Sequence, residues 1–238
     1  MKPIRRIRDA LVSLVFPPIC PICNRIAPFS GICPGCEKKL TPVTGPHCAK
    51  CGKTVDEGEK YCIDCRQGTH VYDEGCAAYE YDEYMSTSMY RFKYNGKREF
   101  ANWYAGAMAK RLSAKIRGWD PQVIIPVPVH RRRLKKRGYN QAALIAKELS
   151  KHVKIPVRND LASRVAATKV QKELGALSRQ NNLKKAFNVT PNVVKYETVL
   201  IVDDIYTTGA TIDALAHVLK AAGVKKVYFV TVCMGRGY

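Results

Sequence analysis

The sequence predicts an α/β protein, a parallel sheet with helices on both faces, joined to a small cysteine-rich module at its N-terminal end. Three observations carry this expectation. Apolar runs, VIIPVPV from Val123, TVLIV from Thr198 and KVYFVTV from Lys226, alternate with segments of helical periodicity. Strands apolar at consecutive positions are buried on both faces, the habit of parallel sheets. Eight of the ten cysteines stand in four Cys-x-x-Cys pairs before residue 66. The hydrophobic content, 46% of 238 residues, supplies a real core and excludes a disordered chain.

Taken in order, residues 1–18 open with KPIRRIR and the apolar DALVSLVF. Ile4, Ile7, Leu11 and Leu14 share one face of a short amphipathic helix ended by Pro17 and Pro18. The segment imitates a secretory signal, but Asp9 interrupts it, no small-residue cleavage site follows, and the apolar run is far below the roughly 18 residues of a membrane span. The expectation is a helix packed on its own protein, no stable membrane insertion and a cytoplasmic location, where disulfides are disfavoured.

The pairs are CPIC (Cys20, Cys23), CPGC (Cys33, Cys36), CAKC (Cys48, Cys51) and CIDC (Cys62, Cys65). Two thiolates at this spacing grip one side of a tetrahedral zinc ion and a second pair completes it, so four pairs predict two closed, structural zinc ions. Gaps of nine and ten residues within successive couples suit a tight hairpin and favour sequential sites over interleaved ones. Redox dithiols and an iron–sulfur cluster are the competing readings. His47 and His70 flank the second site and could substitute as ligands, although a His beside a zinc knuckle is more often a bystander; Cys76 and Cys233 read as small buried hydrophobes. Residues 1–70 thus form a helix and double zinc ribbon, and residues 71–238 the α/β domain.

In that domain GCAAYEY from Gly75 reads as a strand, and residues 99–117 as a helix with Phe100, Trp103, Tyr104, Ala107 and Leu112 at helical spacing. The strand Val123–Val129 follows, then a helix near Asn140–Lys151, the strand from Thr198, a helix Thr211–Ala222 stopped by Gly223, and the last strand.

The charge is lopsided. Lys and Arg number 40 against 20 Asp and Glu, a net +20, and residues 85–196 hold 25 basic and 5 acidic residues, the whole excess. Such a field attracts polyanions: nucleic acid, anionic lipid or phosphorylated small molecules. Its densest part is RRRLKKR, where Arg131, Arg132, Arg133, Lys135 and Lys136, with Tyr139 nearby, are candidate nucleic-acid contacts; a solvated helix face weighs equally. Phe92, Trp103 and Tyr104 read as core, whereas Tyr94 and Tyr139, flanked by cations, are candidates to stack on bases.

The stretch VLIVDDIYTTGAT from Val199 carries the chemistry. Asp203 and Asp204 stand at the carboxyl end of a buried strand, where ligands bind in open α/β sheets. Thr207, Thr208, Gly209, Ala210 and Thr211 lead into a helix, turning backbone N–H groups, a positive helix end and hydroxyls toward one anion. Acids beside a phosphate cup suit the vicinal hydroxyls of a sugar, so a ribose 5-phosphate fits both halves.

This stretch resembles the signature of the type I phosphoribosyltransferases. The whole chain resembles the ComF family (ComFC, competence protein F), bacterial DNA-uptake proteins that join a double zinc ribbon to such a domain. The matching segments are FPPICPIC, RFKYNGKREFA from Arg91, IPVPVHRRRLKKRGYNQA from Ile125 and QKELGALSRQNNLKKAF from Gln171. The resemblance implies that Asp203 and Asp204 contact ribose hydroxyls and that Thr207–Thr211 hold the 5-phosphate. It places Val127–His130 as a pyrophosphate loop with Arg137 nearby, and Thr168–Asn182 as a segment closing over the substrate. Magnesium would come with phosphoribosyl pyrophosphate.

Two function classes follow: a ribosyl-transferring enzyme, for which no catalytic residue is assigned, and a protein of natural transformation that binds phosphoribosyl pyrophosphate and single-stranded DNA. A competence helicase and other DNA-processing proteins are candidate partners of the second. The sequence shows no acceptor-base pocket, and the zinc module occupies the end where such enzymes carry the hood that selects the base.

Overall fold

The computed structural model describes residues 17–28, 31–68, 70–165 and 186–237. The expected N-terminal helix and the segment Thr168–Asn182 lie outside them.

The cysteine pairs close sequentially. The sulfurs of Cys20, Cys23, Cys33 and Cys36 form one cluster and those of Cys48, Cys51, Cys62 and Cys65 another, each set within 4.8 Å of one another. In the return pair of each site the first cysteine, Cys33 or Cys62, stands at the N-cap of a short helix, α1 (Pro34–Glu37) or α2 (Ile63–Gln67), that carries the second. Four converging thiols with no other buried role are the donor set of a structural zinc; these are two four-cysteine zinc-binding sites.

Beyond them run β1 (Glu74–Glu80), α3 (Glu83–Tyr94), α4 (Phe100–Trp119), β2 (Val123–Pro126), α5 (Arg131–Arg137), α6 (Gln141–Val153), β3 (Ala162–Arg164), β4 (Phe187–Val189), β5 (Thr198–Tyr206), α7 (Ala210–Ala221) and β6 (Lys226–Met234). The main sheet is parallel throughout in the order β1-β6-β5-β2, while β3 and β4 form a separate antiparallel pair. Helix α3 was not anticipated, although Met85, Met89 and Phe92 bury one face and the Asp82 carboxylate caps it by accepting from Met85 N at 2.8 Å. Strand β2 stops at Pro126, short of Val129, whereas β5 runs through both acids to Tyr206.

Both faces of the sheet are covered. Along β5, Leu200 and Val202 pack with α4 and α6 (Tyr104, Met108, Ile145, Leu149), while Val199 and Ile201 pack with α7 (Ile212, Leu215, Leu219). The ribbons divide the same way. Cys20 and Cys36 belong to the first core, and Cys48, Cys51 and Cys62 to the second. Both sheet edges are protected as well. Residues of the zinc module cover β1, with Glu80 N donating to Thr41 O (2.8 Å) and Gly75 N to Lys50 O (3.0 Å). At the other edge Ile124 N donates to Pro156 O (2.8 Å) and Arg158 N to Ile124 O (3.0 Å). No helix among the described residues is long and apolar enough to cross a membrane.

Gly75 leaves no room for a side chain: a Cβ there would lie 1.9 Å from the Phe229 ring, whereas one on Gly106, inside α4, meets nothing within 4 Å. Gly75→Ala should therefore cost about 2–3 kcal/mol in urea unfolding, through overpacking. Gly106→Ala should add up to about 1 kcal/mol. Equal effects of the two substitutions would contradict the packing described.

Candidate functional site

A cavity of about 260 Å³ opens at the carboxyl ends of β2 and β5. The pairing of β2 with β5 sets Pro126 beside Val202, so the chain leaving β2 (Val127, Pro128, Val129) faces Asp203 and Asp204 across the cavity. Two helices begin at its wall. Asn140 caps α6 through Oδ1, which accepts from Ala142 N at 3.0 Å, while its Nδ2 donates to Val127 O at 3.0 Å and fixes the helix start to the loop after β2. Helix α7 begins from Gly209, whose φ of +83° is left-handed. A Cβ at Gly209 would sit 2.5 Å from the Tyr206 hydroxyl, so the turn needs glycine for conformation and for space. Two positive helix ends therefore meet at one small volume.

The carboxylates are held differently. Asp204, 7% exposed, pairs with Lys93, which reaches in from α3 with Nζ 3.0 Å from Oδ2. Burial alone would lower the Lys93 pKa, but the charge and hydrogen bond of Asp204 outweigh it and raise the ammonium above its ordinary value. Asp203 accepts a hydrogen bond from Asp204 N at 2.8 Å. Burial first, and the adjacent Asp204 charge second, push its carboxyl up to about 7.

Arg133, Arg137 and Arg164 add cations to the wall. Arg137 donates through Nη1 to Gln141 Oε1 (3.1 Å) and through Nη2 to the Tyr94 hydroxyl (3.2 Å). Gln141 is 2% exposed and lines the cavity, and its Nε2 has no hydrogen-bond partner among the described residues. A buried donor left unmatched is costly, and here it borders a cavity where a ligand oxygen would satisfy it. Two acids ringed by cations, helix ends and a spare amide suit a ligand that carries both anionic groups and hydroxyls.

Of the residues singled out from sequence, Asp203, Asp204, Thr207, Thr211, Val127, Arg137 and Arg133 share the cavity wall. Thr208, Gly209 and Ala210 form the turn between Thr207 and Thr211. Arg131, Arg132, Lys135 and Lys136 are exposed on α5, beside the cavity but outside it.

Tyr139 is a correction to the expectation of base stacking. It is 6% exposed, its hydroxyl donates to Phe92 O, and Arg98 lies over its ring, 4.8 Å from the centroid. An aromatic filling the space between α3 and α6 has no free face for a base. Tyr94 is 53% exposed and neighbours Tyr90, 61% exposed, with ring centroids 5.0 Å apart.

Sequence reasoning passed over Lys93, Asn140, Gln141 and Arg164. Lys93 lies in RFKYNGKREFA, and Asn140 and Gln141 lie at the start of the helix expected near Asn140–Lys151, where the local pattern points to no site role. Recognising α3 as an amphipathic helix would have shown Lys93 one position beyond buried Phe92.

Two family profiles match the chain, the double zinc ribbon domain over residues 11–66 and the phosphoribosyl transferase domain over residues 134–238. The chain is 33% identical to "Competence protein F" of Haemophilus influenzae over 83% of its own length and 88% of that protein. It is 28% identical to "Competence protein ComFC" of Bacillus subtilis over 83% of this chain and 81% of that one. Identity to "DNA utilization protein YhgH" of Escherichia coli is 27% over 92% of this chain and 98% of that one. With two four-cysteine zinc-binding sites on a phosphoribosyltransferase-like parallel sheet, and with likeness over nearly the full length of these relatives, the chain belongs to the competence protein F (ComF) family.

Proposed function

We propose that this protein handles single-stranded DNA in DNA uptake, and that it does so while holding a phosphorylated ribose of the phosphoribosyl pyrophosphate type in the cavity at the end of β5. The observation that carries the sugar half is one cavity that gathers Asp203, Asp204, Thr207 and Thr211 with Lys93, Arg133 and Arg137. Asp203 and Asp204 meet the ribose hydroxyls, Thr207–Thr211 take the 5-phosphate on backbone N–H groups and hydroxyls, and Val127 with Arg137 faces the pyrophosphate. Were magnesium to accompany the pyrophosphate, carboxylate oxygens of Asp203 and Asp204 would be among the donors able to hold it, and it would neutralise charge on the pyrophosphate.

The DNA half rests on charge and on the printed names of the relatives, competence and DNA utilization proteins. Helix α5 presents Arg131, Arg132, Lys135 and Lys136 to solvent, and the Tyr90–Tyr94 pair lies beside Arg137, whose guanidinium is 5.0 Å from the Tyr94 ring centroid. Cations that follow a backbone and rings that accept any base suit a single strand read without sequence preference.

Asp203 gives the sugar site a pH dependence. The unfolded carboxyl ionises near its ordinary value of about 3.9, whereas the folded one holds its proton up to about 7. Between those values the folded state carries the extra proton, so this group's contribution to stability falls as pH rises through the window. The ionised carboxylate is the stronger acceptor for sugar hydroxyls. Calorimetry should therefore show affinity for phosphoribosyl pyrophosphate rising as pH passes 7, and Asp203→Asn should weaken binding and flatten that rise. Asp204 is the poorer test, because its loss strands the partly buried Lys93 ammonium. Equal affinity at pH 6 and pH 8 in the wild type would overturn the role given to Asp203.

For DNA, Arg131, Arg132, Lys135 and Lys136 replaced together by Gln should weaken single-strand binding. If each meets one phosphate, the slope of log K against log salt should flatten by roughly 2 to 3. Tyr94→Ala should lower affinity with the slope unchanged. A neutralised helix that binds like wild type would move the DNA site elsewhere.

A further inference from the structure

The second ribbon and the Thr207–Thr211 turn are joined by a buried pair of tyrosines. Tyr206, the last residue of β5, is 1% exposed, and its hydroxyl is 2.7 Å from that of Tyr72, which is fully buried. Both rings pack on Phe229, with centroids 4.7 and 4.8 Å away. On the ribbon side, the knuckle between Cys48 and Cys51 sets Lys50 Nζ 5.4 Å from the Tyr72 centroid. Lys53 Nζ lies 5.7 Å from that of Tyr206. Lys53 is 4% exposed and is held by Asp64 at 2.6 Å, between Cys62 and Cys65. The knuckle itself is seated tightly: a Cβ on Gly52 would come 2.6 Å from Gly75 O.

On the other side the same tyrosine meets the turn. The Tyr206 hydroxyl occupies the space directly behind Gly209, 2.5 Å from where a Cβ would stand. The chain leaving the ribbon also grips the helix that follows the turn. His70 Nδ1 and Val71 N (2.9 Å) both bond the carboxylate of Asp213, in the first turn of α7, and His70 stacks on Tyr72 at 4.9 Å. The turn is thus backed by one hydroxyl and tied by one carboxylate, and both lead to the second ribbon. The first ribbon packs into the opposite core and touches α3, with Arg91 Nη1 donating to Ile22 O at 2.6 Å.

We infer that Tyr72 and Tyr206 are positioning residues that carry the metal-dependent shape of the second ribbon to the Thr207–Thr211 turn. The turn's anion-binding conformation then depends on zinc at Cys48, Cys51, Cys62 and Cys65, and not on zinc at Cys20, Cys23, Cys33 and Cys36. A four-thiolate knuckle without its metal loses the geometry that seats Lys50 and Lys53 over the rings. By linkage, a ligand that fixes the turn must also hold the second metal more firmly. The use of this coupling for a sugar phosphate rests on the function proposed above, whereas the coupling itself rests on the geometry alone.

The experiment is zinc loss from the full-length, zinc-loaded protein under chelator, with freed thiols alkylated by N-ethylmaleimide and assigned to each cluster by peptide mass spectrometry. Gly209→Ala drives a methyl into the Tyr206 hydroxyl. Gly223→Ala, at the far end of α7, also puts a side chain at positive φ (+103°) but with nothing within 4 Å to strike. Gly209→Ala should speed alkylation of the second cluster about tenfold, within the usual range of coupling between two sites, and leave the first unchanged; Gly223→Ala should change neither cluster selectively. Ribose 5-phosphate should slow alkylation of the second cluster in the wild type and not in Tyr206→Phe, which keeps the ring and loses the bond to Tyr72. Wild-type rates at the second cluster in Gly209→Ala, or equal acceleration of both clusters, would overturn the inference. So would ribose 5-phosphate that binds by calorimetry yet protects neither cluster. A wild type that does not bind ribose 5-phosphate would contradict the sugar-phosphate assignment, and the Gly209→Ala comparison would then decide the coupling by itself.

Discussion

Two adjacent carboxylates at the end of a strand buried on both faces are the constraint that the rest of the site answers. Asp204 is 7% exposed and is stabilised by Lys93 at 3.0 Å, so α3 must run where its Lys93 can reach the end of β5. Asp203 forms no ion pair among the described residues, and burial with the neighbouring Asp204 charge pushes its carboxyl up to about 7. One acid is thereby neutralised by the fold and the other is left for whatever enters the cavity. Arg133, Arg137 and Arg164 also line the cavity, and among the described lining residues cations outnumber carboxylates, a setting that suits an anionic group.

The zinc module is part of the same structure and not an appendage. Each ribbon contributes cysteines to one of the two cores flanking the sheet, and the stretch between the ribbons lies along the β1 edge. A stretch with few aliphatic residues of its own is ordered by metal, and in return it closes an edge that would otherwise present unpaired N–H and C=O groups. The second zinc-binding site and the turn after β5 are therefore joined through packed side chains.

Much of this was legible in the sequence because it depends on local patterns. Paired cysteines at fixed spacing, apolar runs between helical segments, and two acids followed by a hydroxyl-rich turn are each written in adjacent residues. What was not legible depends on distant ones. Tyr139, flanked by Arg137, Gly138 and Asn140, looks exposed by its neighbours, yet its ring fills the gap beside Phe92 and its hydroxyl finds the Phe92 carbonyl. Lys93 reads as a surface cation until α3 is folded against β5. Gln141 gains significance only when its amide is buried beside a cavity. The tie between Tyr72 and Tyr206 joins residues 134 positions apart. Periodicity says which face of an element is buried, but not which partner waits there.

The central claim is that the turn after β5 holds a phosphate of a sugar. Amide hydrogen exchange of the zinc-loaded protein with and without ribose 5-phosphate addresses it most directly, since the backbone N–H groups of residues 207–211 are the proposed donors. Protection is expected to concentrate at Thr207–Thr211 and the first turn of α7, with the amides of α5 unchanged. Protection confined to α5 or to the zinc ribbons, with the turn exchanging as in the free protein, would contradict it.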